Sequence, residues 1–142
     1  MPPPETDVPR IVAVGLLTSG QRILVAARPD RAPLRGQWKF PGGKVEFGEH
    51  PWDALRRELR EDLGVRAIRG DLFGVYSRVY DVEGLRAHYV LVAYHLRIGR
   101  HRIPETSGLR WVTLAQLRRL PVLPGSRPIV ADLARRRPVR VI

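Results

Sequence analysis

Six of the 14 acidic residues in this chain lie between positions 46 and 62: Glu46, Glu49, Asp53, Glu58, Glu61 and Asp62. In a chain of net charge +11 that concentration is unexpected. With Glu58 at the origin of a helical wheel, Glu61 falls at about 300° and Asp62 at about 40°. Three carboxylates therefore share one helical face, and the small Ala54 beside them leaves space. Glu58 and Asp62, four residues apart, repel each other by roughly 0.2–0.5 kcal/mol. The opposite-charge pairs Asp53–Arg57 and Arg57–Glu61, taken alone, would describe a solvated surface helix laced with ion pairs. The local excess of carboxylates points instead to a divalent cation. Hard oxygen ligands suit Mg²⁺ or Mn²⁺ rather than Zn²⁺. No cysteine is present to supply thiolate, and His50, His88, His95 and His101 lack ligand spacing. The preceding Gly42-Gly43 lets the backbone come close to such a site, offering a carbonyl to metal or amides to phosphate. The segment is not a Walker loop, because it lacks the Gly-Lys-Ser/Thr ending.

The elements that must position these groups are legible from periodicity. Trp52, Leu55, Leu59 and Leu63 recur at spacings of three and four, which predicts a helix over 52–63. Pro51 suits its start and Gly64 its C-terminal cap. Residues 10–18 and 22–28 are apolar runs around a Ser-Gly-Gln turn, a predicted hairpin. Residues 37–40 are a short strand running into Pro-Gly-Gly, read as a turn, and 44–51 an irregular connector. Two β-rich runs, 67–80 and 86–98, flank Asp-Val-Glu-Gly as a second hairpin. A strand over 109–114, a helical turn at 115–120, a Pro-rich loop at 120–128 and a terminal helix over 129–136 complete the chain. Strands with one central and one terminal helix predict an α/β sandwich.

At 142 residues, 44% hydrophobic, the chain has the size of one domain: a leader over 1–9, read as disordered, and a single domain over 10–142. No apolar run is long enough for a membrane-spanning helix, and the start lacks the basic-then-apolar pattern of a signal peptide. A cytoplasmic location is the expectation. The basic charge comprises 23 Arg and 2 Lys, with the Arg spread along the whole chain. It permits a nucleic-acid partner without requiring one. Oligomeric state is not legible.

Residues 43–65, GKVEFGEHPWDALRRELREDLGV, resemble the Nudix box, G-x5-E-x7-R-E-U-x-E-E-x-G-U with U aliphatic. Gly43, Glu49, Arg57, Glu58, Leu59, Glu61, Gly64 and Val65 match; Asp62 stands where the family usually has Glu. The resemblance extends to GQWKFPGG before the box and to HYVLVAYHL and LRWVTLAQL after it. It implies an α/β/α sandwich around a mixed sheet and hydrolysis of nucleoside diphosphates linked to another moiety. By that resemblance Glu58, Glu61 and Asp62 hold Mg²⁺, for which Mn²⁺ may substitute, with the Gly42 carbonyl as a further ligand. Arg57 pairs with Glu49 and braces the loop. The general base is either Glu58 or Glu105; Glu105 precedes Trp111 by six residues, the spacing of a functional glutamate in MutT-type relatives, and is also a candidate ligand.

The expected substrate is a nucleotide-type small molecule, a (d)NTP for a MutT-type enzyme or ADP-ribose for the alternative. A non-catalytic nucleotide- or RNA-binding module is the reading of another class. Arg28, Arg35 and Lys44 are candidate phosphate contacts. Ser126, in LPGSRPIV, stands where MutT-type relatives commonly read a purine with Asn, and a hydroxyl cannot make an amide's paired contacts.

Overall fold

The computed structural model describes residues 8–29 and 33–136. Most of the expected leader, and the last residues of the expected domain, lie outside them. Strand β1 (Arg10–Ser19) turns through Gly20 into β2 (Arg22–Ala27), with Thr18 opposite Ile23. Two short strands follow, β3 (Trp38–Lys39) and β4 (Gly42–Lys44), then helix α1 (Pro51–Leu63). Strands β5 (Asp71–Val82) and β6 (Leu85–Arg97) form the second hairpin, closed by Glu83 and Gly84, both at positive φ. Strand β7 (Leu109–Thr113), the short helix α2 (Leu114–Leu117) and helix α3 (Arg127–Arg135) end the described chain.

All seven strands join one mixed sheet, with the path β3-β2-β1-β6-β5; β4 pairs with β1, and β7 with β2. The β1–β6 pair is parallel, Ala13 opposite Val92, and the pairs β1–β2, β1–β4, β2–β3, β2–β7 and β5–β6 are antiparallel. Alternation along the strands splits the core in two. Ala13, Leu17, Leu24 and Trp111 pack with Ala54, Leu55 and Leu59 of α1. Val14, Leu16, Ile23, Val25 and Val112 pack on the other face with Leu117 of α2 and Ile129 of α3. This is the expected α/β/α sandwich. No helix among the described residues is long and apolar enough to cross a membrane.

Two expectations need correction. Gly42-Gly43 is not simply a turn and Lys44 is not in an irregular connector: residues 42–44 form β4, with Val14 opposite Gly42 and Val12 opposite Lys44. Glycine carries little strand propensity, so the pattern hides this strand; pairing to the buried β1 supplies what propensity does not. The supposed loop at 120–128 contains a 3-10 turn at Pro124–Ser126, from which α3 starts two residues earlier than periodicity suggests.

Candidate active site

Helix α1 is fixed at both ends by its sequence. His50 Nδ1 accepts from Trp52 N at 3.0 Å, Pro51 opens the first turn, and Gly64 closes the last in the left-handed conformation at φ 66°. Leu55 and Leu59 are fully buried, so the adjoining face, with Glu58, Glu61 and Asp62, has a set orientation.

Arg57 ties that helix to the segment before it. Its Nε and Nη2 donate to the two Glu49 carboxylate oxygens, both at 2.9 Å, and Nη2 also donates to the Lys44 carbonyl at 3.1 Å. Its Nη1 donates to Glu58 Oε1 at 2.9 Å and lies 3.6 Å from Glu61. One planar guanidinium thus holds β4, the connector and the helix together, a bidentate geometry that lysine cannot reproduce. The Arg57 hydrogen bonds hold the Glu49 carboxyl down to about 2, and the same contacts raise the Arg57 value.

The sign follows. A depressed carboxylate contributes stability fully above its ordinary value of 4.5 and loses it as pH falls through about 2. We expect the Glu49 carboxyl carbon to keep its ionised NMR shift from neutrality down to pH 3. A midpoint near 4.5 would rule out the tight pair.

Glu58 sits against Gly43. A Cβ on Gly43 would lie 2.2 Å from Glu58 Cδ, so glycine there is what lets the carboxylate reach β4. Burial pushes the Glu58 carboxyl up, the Arg57 hydrogen bond pulls it down, and a hydrogen bond and like charge from Asp62 push it up again. Glu61 leans toward Arg57 instead. Glu105 Oε2 accepts from Trp111 N at 3.3 Å. Among the described residues no three His, Asp or Glu side chains form a ready metal-holding group. Glu58 and Asp62 are in side-chain contact.

Beside Gly43 opens a cleft of about 220 Å³. Its cationic lining is Arg28, Lys39, Lys44 and Arg78, with no acidic side chain; Phe40, Tyr80, Tyr89 and Ser126 also line it. Of the four expected substrate contacts it gathers Arg28, Lys44 and Ser126, whereas Arg35 is exposed outside it. Arg28 is held by the Pro33 carbonyl at 3.3 and 3.1 Å. Burial, then Arg28, lowers the Lys39 ammonium, while Asp62 and Glu58 oppose that shift. In the cleft lining Tyr80 OH accepts from Gly125 N at 2.7 Å, and the Tyr80 and Tyr89 rings meet edge to face.

Sequence reasoning missed Lys39, Arg78 and Tyr89. One signal was available: the only two lysines in an arginine-rich chain, Lys39 and Lys44, both line this cleft.

A family model for the NUDIX domain matches residues 8–133. A putative 8-oxo-dGTP diphosphatase 2 of Mycobacterium tuberculosis is 41% identical over 128 residues, covering 89% of each chain. The CTP pyrophosphohydrolase of Escherichia coli is 33% identical over 121 residues, 84% of this chain and 87% of that one. A crystal structure of a MutT Nudix hydrolase from Burkholderia pseudomallei superposes with a TM-score of 0.76 at 28% identity, covering 89% of this chain and 99% of that one. Box, sandwich and relatives agree, and the chain belongs to the Nudix family of hydrolases.

Proposed function

We propose that the chain is a Mg²⁺-dependent pyrophosphohydrolase of (deoxy)nucleoside triphosphates, with Mn²⁺ able to substitute. Nudix hydrolases generally use a divalent metal and act on nucleotides. The observation that carries the substrate reading is the cleft. It offers four cations and no carboxylate to a polyphosphate, and the rings of Phe40, Tyr80 and Tyr89 to a base. Relatives named 8-oxo-dGTP diphosphatase and CTP pyrophosphohydrolase support a triphosphate over ADP-ribose.

The residues present fit a hard divalent ion. Glu58 and Asp62 hold two carboxyl groups in contact, and their mutual repulsion is a cost that a cation removes. Mg²⁺ keeps several waters and is commonly bound by one or two carboxylates together with substrate phosphates, so a preformed cage is not needed. Glu58 and Asp62 would hold it, with Glu61 and the Gly42 carbonyl completing the protein ligands. When bound, the ion supplies charge neutralisation at the phosphates and lowers the pKa of water. The chain's own groups do the rest. Lys39, Lys44 and Arg28 hold the phosphates in the cleft. Glu58 takes the proton of the attacking water. Glu105, bound to Trp111 N and outside the cleft lining, is the weaker candidate for base and ligand. Arg57 and Glu49 orient Glu58 without touching substrate.

Asp62 tests the ligand set. Asp62→Glu is expected to retain activity. Asp62→Asn is expected to lose at least about tenfold in kcat/KM, as charge and ligand strength fall together. Full activity of the Asn variant with Mg²⁺ would remove Asp62 from the ligand set. The function itself is tested by a panel of (d)NTPs, oxidised dNTPs, dinucleoside polyphosphates, ADP-ribose and triphosphorylated RNA, each with Mg²⁺ and Mn²⁺. Release of pyrophosphate from triphosphates, with slower cleavage of ADP-ribose, is the expected result. No metal-dependent release from any member would overturn the enzyme reading and leave a binding module.

A further inference from the structure

Among the described residues only two that are not glycine take positive φ, Leu34 at 60° and Glu83 at 50°. They meet in one hydrogen bond across 49 positions of chain: Leu34 N donates to Glu83 Oε2 at 2.8 Å. Glu83 belongs to the two-residue loop of the β5–β6 hairpin, between the paired Val82 and Leu85, with Gly84 at φ 77° beside it. Such loops favour Asn, Asp or Gly at the place Glu83 takes, because the left-handed conformation is unfavourable for longer side chains. Leucine is no better suited to it. Backbone held in these conformations persists where its surroundings over-determine it, and it gathers at functional sites. The surroundings here are the cleft, which Leu34, Leu85 and Arg28 all line.

One peptide unit, between Pro33 and Leu34, joins the two sides. Its N–H donates to Glu83, and its C=O accepts from Arg28 Nε at 3.3 Å and Nη2 at 3.1 Å. A carboxylate and a guanidinium are therefore bonded to opposite ends of the same trans amide. Each bond polarises the amide in the sense that strengthens the other. The neck of the loop is closed by Arg28 N, which donates to the Gln37 carbonyl at 2.8 Å. Arg28 also faces Lys39, whose ammonium it helps to lower, so the guanidinium needs an anchor to stay beside a like charge. We propose that Glu83 is a positioning residue for the substrate's phosphates: through the Pro33–Leu34 peptide it fixes where Arg28 presents its guanidinium in the cleft. This rests on the reading of the cleft as a polyphosphate site. Glu83 itself is outside the cleft lining and acts only through the loop.

Inorganic tripolyphosphate, titrated by calorimetry, reads the grip on phosphate without catalysis. Glu83→Gly is the decisive variant. Glycine is favoured at that place of the turn, so the hairpin keeps its shape. The change also removes a negative charge near the cleft, which by charge alone would tighten the binding of a polyanion. Weaker binding, by about tenfold, is the expected result, the size of one lost hydrogen bond to a charged group. Glu83→Gln, whose amide oxygen can still accept from Leu34 N, should recover most of that loss. In an Arg28→Ala background Glu83→Gly should change the affinity by less than about twofold, because the group it positions is gone. With the triphosphate that the parent protein cleaves fastest, Glu83→Gly should raise KM by a similar factor and leave kcat within about twofold. If the parent binds tripolyphosphate and Glu83→Gly binds it as tightly or more tightly, the positioning role is overturned while the cleft stays a phosphate site. An undiminished loss in the Arg28→Ala background would overturn it as well. A parent that neither binds tripolyphosphate nor cleaves any triphosphate would sink the reading of the cleft, and the positioning role with it.

Discussion

Glu58→Gln is expected to lower kcat by about 10²–10⁴-fold, the range associated with loss of a positioned general base. The substitution keeps the side chain's size and an oxygen able to accept from Arg57 Nη1, which now donates at 2.9 Å. What it removes is the negative charge and the proton-accepting oxygen. The same change relieves the crowding with Asp62 that pushes the Glu58 carboxyl up. A carboxylate with a raised folded-state value opposes folding at neutral pH, so the variant should melt no lower than the parent protein. Activity and stability therefore move in opposite directions, as expected where a fold tolerates strain for function. Steady-state kinetics with Mg²⁺ and a thermal melt of the same preparation check both halves. Activity within tenfold of the parent would take Glu58 out of the mechanism. A large fall in melting temperature would show that its role is structural.

The parts of this site that were legible in the sequence are those fixed by local rules. The Trp52, Leu55, Leu59 and Leu63 stripe, Pro51 and Gly64 define α1 within one residue of its observed limits, because periodicity and caps act over a few positions. The carboxylate face follows from the same periodicity. The apolar run at 10–18 reads as a strand because it is buried on both faces, Ala13 and Leu17 toward α1 and Val14 and Leu16 toward α3. The cleft was less legible because it is assembled by register. Lys39 comes from a two-residue strand paired to β2, Arg78 and Tyr80 from β5, Tyr89 from β6 and Gly125 from the turn before α3. Their meeting depends on the parallel β1–β6 pair, which joins residues nearly 80 positions apart. No local pattern encodes that pairing. Arg35 shows the converse: nearness in sequence to Arg28 does not place a side chain in the cleft.

The double glycine separates the two kinds of constraint, and Gly43→Ala is the second substitution with a large expected effect. A Cβ at Gly43 would lie 2.2 Å from Glu58 Cδ and 2.5 Å from its Cγ and Oε1. These are atoms of a side chain, so the fold can survive by moving them. The carboxylate cannot move freely, because Arg57 holds one oxygen and Asp62 contacts the group. Displacement by about 1 Å at a reacting group costs about 10²-fold in rate, and that is the expected loss in kcat. At the neighbouring glycine the obstruction is backbone: a Cβ at Gly42 would lie 2.0 Å from the Ala13 carbonyl oxygen in β1. Gly42→Ala should therefore separate β4 from β1 and cost stability, about 1–3 kcal/mol or more by chemical denaturation. The two variants thus divide activity loss from unfolding. A double-mutant cycle makes the claim for Gly43 specific. If Gly43→Ala acts by displacing the Glu58 carboxylate, it should change kcat little in a Glu58→Gln background, where that group's chemistry is already gone. Additive losses would mean that Gly43 matters for another reason, such as access of phosphate to the β4 backbone. That outcome would detach the glycine from the carboxylate helix it lies against.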